Sequence, residues 1–439
     1  MVQCCGRNSV VRRQLDAAIM GVTMKTKRKP VALFCMFILI VPLLAGCWDR
    51  LEIEERAVVL GISIDTASPG EESQEQEVSH LRGKYPVPTR ELIRVAVQIA
   101  LPGKIPLGPG GGEGEEGGEG GGAPGAGQTV WIIDVVGHTI DDALMNLQQQ
   151  ISSRLFYGHL RVIVVSEEMG RRGLENINDF LRRNSEVRRT AWMLISGGKA
   201  IDLMKATPQL KRIPTLYLLA TLDDAVKLGK FPNDFVGIFW SNSSKHGQEA
   251  FLPYVKLMKE QNIEIYGLAY FRNDKMVGVT KPFEIAGYMG IKGIRTSGYR
   301  GFVRADGPEK TVTVYATSRK SKMNVEIRNG KPHFIVSVMT EIDVEEKLSE
   351  SFQIGHSDVL KEIEKENKKG LIKTYGDLIR KTQEKGSDIF GFGEYIRAKK
   401  PLYWNEHVRT KERWQETYKN ATFEIRVTTR VRRIGMKAT

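Results

Sequence analysis

Few side chains in these 439 residues stand where type and spacing could do chemistry. Cys47 is the first of them. It follows Ala45 and Gly46, small residues that fit a peptidase pocket. Before those come a basic cluster (Lys25, Lys27, Arg28, Lys29) and an apolar run from Val31 to Leu44, so the stretch has the three-part layout of a secretory signal. A thiol at that place accepts diacylglycerol in bacterial lipoproteins. Cys47 is therefore expected to be the acylated first residue of a mature chain, an anchor rather than a catalyst, with residues 1–46 removed as the signal. The run, broken by Pro42, would be roughly 21 Å long as a helix against a hydrocarbon core of about 30 Å, so a permanent span is not expected. Two acyl chains hold a protein to a bilayer far more durably than one. Met24 opens a complete signal of its own, which makes residues 1–23 a candidate over-extended reading frame.

Other chemistry is sparse. All four cysteines (Cys4, Cys5, Cys35 and Cys47) fall within the first 47 positions, so processing would leave no thiol for a disulfide, a zinc site or a nucleophile. There is no His-Glu-x-x-His, no Gly-x-Ser-x-Gly and no phosphate-loop motif. Asp388 and Glu394 flank two glycines and could form an acid pair, but a turn with a helix cap accounts for them more simply. His159, beside an apolar strand, reads as a hydrogen-bonded structural histidine. Arg182, Arg183, Arg188 and Arg189 lack interleaved aromatics and read as a solvated helix end, not a nucleic-acid grip. Trp404 and Trp414 sit in a basic stretch that could lie on a membrane, with core packing the safer reading. The expectation is a protein without catalytic, cofactor-binding or metal-ligating residues and without a nucleic-acid partner.

The elements around these residues suggest a mixed α/β and α+β, multi-domain fold. Ala57 to Asp65 and Glu91 to Leu101 read as strands that could pair as a long hairpin. Between Pro109 and Gly127 the chain is almost wholly glycine, glutamate, proline and alanine. With four glutamates and a following strand from Thr129 to Val135, it reads as a disordered insertion, not a phosphate cradle. A helix over Thr139 to Arg154 leads to Arg161 to Ser166, apolar on both faces and so expected in the middle of a covered sheet. A second helix, Gly173 to Asn184, and a strand, Thr190 to Ser196, complete an α/β unit. Residues 47–207 are thus expected to be an N-terminal α/β domain and 208–248 a connector, with a helix at Ile213 to Leu228 and irregular chain from Phe231 to Lys245. A C-terminal α+β domain is expected over 249–439. That part reads as strands at Ile263 to Phe271, Lys275 to Val279, Gly301 to Tyr315, Met323 to Arg328 and Phe334 to Val344. Tight turns fall at Arg272 to Lys275 and Arg328 to Lys331. Helices follow at Asp358 to Lys369, Tyr375 to Lys385 and Trp404 to Tyr418, and then an alternating strand from Phe423 to Val431 that shows Arg426, Arg430 and Arg432 on its other face.

The composition, 41% hydrophobic and 27% charged, is that of an ordinary globular body. Residues 1–46 hold seven basic side chains and one acidic, leaving +7 of the formal +13 to the rest. A modest basic excess on a body held at a bilayer suits anionic headgroups.

Several stretches together resemble one family, the Ger(x)C lipoproteins of endospore-forming bacteria. They are Gly46-Cys47-Trp48-Asp49, Gly61-Ile62-Ser63-Ile64-Asp65, the run from Gly158 to Glu167, and Lys320-Ser321-Lys322. Asn329-Gly330-Lys331-Pro332, Gly391-Phe392-Gly393-Glu394 and the Pro401 to Trp414 segment complete the set. The resemblance implies a non-enzymatic C subunit of a nutrient germinant receptor, lipidated at Cys47 on the outer face of the inner spore membrane. Its implied partners are a membrane-embedded A-type subunit and a transporter-like B-type subunit. The insertion at Pro109 to Gly127 departs from the family pattern and inherits no role. A substrate-binding lipoprotein of an importer is the alternative, but it needs two similar lobes about a hinge and the two halves here differ. An envelope hydrolase would rest on Asp388 and Glu394 alone.

Overall fold

The five residues Val162–Ser166 are buried at every position, because this strand lies in the middle of a sheet covered on both faces. The computed structural model describes residues 55–68, 70–71, 92–101, 129–206, 213–259, 262–294, 298–305, 307, 309–349 and 352–435. The signal, Cys47 and the insertion at Pro109 to Gly127 lie outside the described residues. Contacts separate residues 1–56 from residues 57–439, and the fold is that of the second unit.

Nine strands form the first sheet: β1 (Arg56–Thr66), β2 (Ile93–Ala100), β3 (Val130–Gly137), β4 (Arg154–Phe156), β5 (Val162–Ser166), β6 (Trp192–Ser196), β7 (Phe251–Leu257), β8 (Ile263–Arg272) and β9 (Lys275–Val279). Their order is β3-β2-β1-β5-β6-β7-β8-β9, with β4 paired to β1. The centre, β1-β5-β6-β7, is parallel, and antiparallel hairpins extend it on both sides. Alternation along β5 sends Val162 and Val164 into one core and Ile163 and Val165 into another. The second of these cores is closed by α1 (Ile140–Gln148), α3 (Glu175–Arg183) and α6 (Val236–Ser243), which follow or precede the short α2 (Glu167–Arg172), α4 (Ala200–Lys205) and α5 (Pro214–Lys227). The first core is lined by α4 and α5 and by α7 (Pro282–Ile291).

A second sheet, β10 (Arg300–Arg304), β11 (Thr311–Arg328), β12 (Lys331–Lys347) and β13 (Thr422–Arg433), runs in that order, antiparallel except for the parallel β12–β13 pair. Between β12 and β13 come α8 (Ser357–Glu384), α9 (Phe392–Lys399), a π-helical turn over Trp404–Val408 and α10 (Lys411–Lys419). The inner face of this sheet, through Val325, Phe334, Val336, Val338 and Val427, joins Val162, Trp192 and Phe251 of the first sheet in a single apolar cluster.

The mixed α/β and α+β character is as expected, but the division at 208–248 is not where the sheet ends. Strands β7 to β9, assigned to the C-terminal half, pair onto β6 and complete the first sheet, so sheet membership changes after Val279. Pairing between β6 and β7 leaves no local trace in either strand, and for that reason the chain order misleads. The stretch expected to be irregular, Phe231 to Lys245, contains α6, whose Val236, Phe239 and Trp240 are buried. Helix α1 stops at Gln148 rather than Arg154, because the Gln148 amide accepts from Leu155 N and donates to Ser153 O, turning the chain into β4. The two helices expected between Asp358 and Lys385 are one. The stretch expected as one strand from Gly301 to Tyr315 is split between β10 and β11, and the helix expected from Trp404 is interrupted at Arg409, which has φ of 59°. Both tight turns are present, with Asn273 at φ 58°, Asn329 at 49° and Gly330 at 74°, as hairpins of this kind require.

Candidate functional site

Two of the polar groups singled out from the sequence, Asp388 and Glu394, lie where the first sheet meets the segment Ser387 to Lys419. Asp388, 1% exposed, accepts at Oδ1 from Phe390 N (3.1 Å) and Gly391 N (2.9 Å), and at Oδ2 from Gly393 N (2.9 Å) and Trp414 Nε1 (3.0 Å). The turn is left-handed at Gly391, φ 79°, and delivers those amides to one carboxylate at the start of α9. Burial lifts the Asp388 carboxyl to about 6, opposed by the donors from Gly393, Phe392 and Trp414.

Glu394 faces elsewhere. Its Oε1 accepts from Gly247 N at 2.8 Å, its Oε2 pairs with Arg397 at 2.7 Å, and its own amide donates to Gly247 O at 3.1 Å. A side chain at Gly393 would place Cβ 2.5 Å from the Trp414 indole and 2.6 Å from Gly247 Cα, so the two backbones touch only because both residues are glycine. Asp388 and Glu394 are thus a cap and a latch. Every oxygen of the pair is engaged by the protein.

A second cluster extends the contact. Glu249, 2% exposed, pairs with Lys411 at 2.9 Å and accepts from Gln415 Nε2 at 2.6 Å and Asn273 N at 3.0 Å. Burial raises its carboxyl above the ordinary range, and Lys411 opposes that. Gln415 also donates to Asn273 Oδ1 and accepts from Arg272 Nε, while Lys411 reaches Ser243 O at 2.9 Å. The Ser387 hydroxyl donates to Phe271 O, and Glu249 N to Asp388 O. Apart from the bond between Asn273 and Glu249, each of these joins the region from α6 to β9 with the chain after Ser387, so the whole is a seam. Sequence reading found Asp388 and Glu394 but not Glu249, Lys411 or Gln415. Their partners lie more than a hundred residues away, and no spacing signals them.

The remaining predicted residues are separate from the seam. His159 is exposed, not a hydrogen-bonded structural residue; its ring meets Phe156 edge-on at 6.0 Å and makes no side-chain hydrogen bond among the described residues. The four arginines are exposed, with Arg183 paired to Asp179 at 2.8 Å and Arg182 5.3 Å from the Trp240 ring centroid, as a solvated helix end should be. Trp404 and Trp414 are buried in the core and do not face a membrane. Asp65 of the Gly61 to Asp65 stretch caps α4, accepting from Ala200 N (2.6 Å) and Ile201 N (3.0 Å). Cys47 lies outside the described residues. Among the described residues no group of three or more histidine, cysteine, aspartate or glutamate side chains could hold a metal, and no helix is long and apolar enough to cross a membrane.

Comparison with known proteins accounts for most of the chain. A family model described as "Spore germination protein N-terminal domain" matches residues 49–257, and one described as "Spore germination B3/ GerAC like, C-terminal" matches residues 266–435. The chain belongs to the Ger(x)C spore germination family. Spore germination protein KC of Bacillus subtilis (strain 168) is 24% identical over 92% of this chain and 95% of its own length. Spore germination protein B3 of the same organism is 22% identical over 94% of this chain and 99% of its own. The crystal structure of the GerBC protein shares the fold, with a TM-score of 0.50 and 18% identity over 78% of this chain and 94% of that one. Of the stretches that resemble the family, Gly391 to Glu394 and Pro401 to Trp414 contribute Gly391, Gly393, Glu394, Lys411 and Trp414 to the seam.

Proposed function

We propose that this chain is the C subunit of a spore nutrient germinant receptor. In this reading Cys47 is acylated and holds the body on the outer face of the inner spore membrane, beside a membrane-embedded A-type subunit and a transporter-like B-type subunit. The chain performs no catalysis. The observation that carries the reading is the match to both halves of the Ger(x)C family along nearly the whole chain. The structure lends support against the importer alternative: a nine-stranded and a four-stranded sheet sharing one core are not two like lobes about a hinge. Affinity capture from spore membranes tests the proposal and is expected to bring down A-type and B-type subunits together. Spores carrying Cys47→Ala are expected to respond poorly to nutrients. Normal nutrient germination with the unacylated protein, or capture without either partner, would overturn it.

A further inference from the structure

One end of the second sheet carries a corner that the seam does not use. There the β11–β12 turn, Ile327 to Lys331, meets the turn Lys399 to Tyr403 that joins α9 to the π-helical segment. The Tyr403 hydroxyl donates to Gly330 O at 3.0 Å, and the Tyr403 ring stacks on His407 with centroids 4.7 Å apart. Leu402 projects from this junction 76% exposed, the most exposed large apolar side chain among the described residues, and Ile327 is 36% exposed. Lys331, Lys399, Lys400, Arg328 and Arg409 are exposed around them. Arg328 is tied to Glu326 at 2.7 Å, whereas Lys331, Lys399 and Lys400 have no acidic partner among the described residues.

A single exposed leucine is unremarkable by itself. Here it tops a proline turn, stands beside an amphipathic tyrosine and is ringed by cations, of which Lys331, Lys399 and Lys400 have no acidic partner among the described residues. An apolar point within a cationic ring is the pattern that sits at a headgroup boundary, with the lysines on anionic lipid and the leucine just beneath. We propose that the corner formed by Ile327 to Lys331 and Lys399 to Tyr403 docks on an anionic bilayer surface, with Leu402 entering the headgroup layer. This is independent of acylation and of the receptor reading, since it needs only such a surface within reach.

Hydrogen–deuterium exchange of the full chain reconstituted with vesicles tests it. Bulk binding is uninformative, because attachment through the N-terminal region would not depend on this corner, so the readout is local. With phosphatidylglycerol vesicles, exchange at 328–331 and 402–408 is expected to slow relative to the lipid-free chain, because basic side chains are drawn to an anionic surface. With phosphatidylcholine no slowing is expected. The charge-reversed variant K331E/K399E/K400E should lose the protection while melting at the unmodified temperature, and Leu402→Asp should weaken it with every lysine in place. Equal exchange with the two lipids, protection retained by the charge-reversed variant, or protection confined to another face would each overturn the proposal.

Discussion

Asp388 shows what a buried carboxylate does when four donors are aimed at it. Its removal in Asp388→Ala would leave three backbone amides and an indole N–H without their acceptor inside the protein, and is expected to cost about 3 kcal/mol or more. Trp414→Phe removes one of the four and should cost about 1–2 kcal/mol, both read from denaturant melts. Gly393→Ala forces a Cβ into the indole and into Gly247, and is expected to destabilise by about 1–3 kcal/mol by overpacking. Asp234 is the opposite case: wholly buried, with neither carboxylate oxygen hydrogen-bonded among the described residues and the Tyr288 phenol as its ionisable neighbour. Burial alone raises its carboxyl well above the ordinary range. A group whose folded-state pKa is raised contributes most below its unfolded value, and that contribution is lost as pH climbs toward the folded value. Asp234→Asn is therefore expected to leave stability unchanged near pH 3. Above about pH 4 it should gain on the unmodified chain by roughly 1.4 kcal/mol per pH unit until the folded carboxyl ionises. The Asp388 contribution has the same sign but is confined to the window from about 4 to about 6, so the two are separable in melts taken across pH.

Among the elements, α8 is the one whose continuity the sequence conceals. Gly370 and the lysines around it break the apolar period, so the run reads as two helices. In the fold Ile363, Tyr375, Leu378, Ile379 and Thr382 are buried along one helix, and i,i+3 pairs such as Lys365–Glu362, Lys369–Glu366 and Arg380–Asp377 line its outer side. Gly370 is exposed, and a methyl group added there would meet open space, so Gly370→Ala is expected to stabilise by about 0.5–1 kcal/mol, seen as a raised melting temperature. Strand β5 is legible because a residue buried on both faces is apolar whatever its partners, and β13 because its alternation is strict. Helix α6 is not, since Val236, Ile238, Phe239 and Trp240 are apolar nearly all round and follow prolines and a glycine that read as loop. The seam is half legible: Asp388 and Glu394 sit in a recognisable turn, but Glu249 and Lys411 find each other only through the fold.

For the whole molecule, the shared core decides how it comes apart. Val162 and Trp192 of the first sheet, Phe334 and Val427 of the second, and Trp414 between them belong to one cluster, so residues 57–435 are expected to unfold in a single transition. A chain stopped at residue 257, where the N-terminal family match ends, would separate β7 from its partner β8 and uncover that cluster. It is expected to bind a hydrophobic dye and to melt without cooperativity, whereas two well-resolved transitions in the intact chain would show the halves to be independent. The strand order runs across the limits drawn from sequence, because β7 reaches past a helix-rich stretch to pair with β6.

The parallel pairing of β13 with β12 carries a consequence for biogenesis. The strand that closes the second sheet follows α8, α9 and α10 in chain order, so Phe334, Val336 and Val338 have no neighbour on that side until those helices have been made. A polypeptide made N-terminus first would therefore keep this half pliable for as long as the helices are being made, and the sheet would set only once β13 had followed.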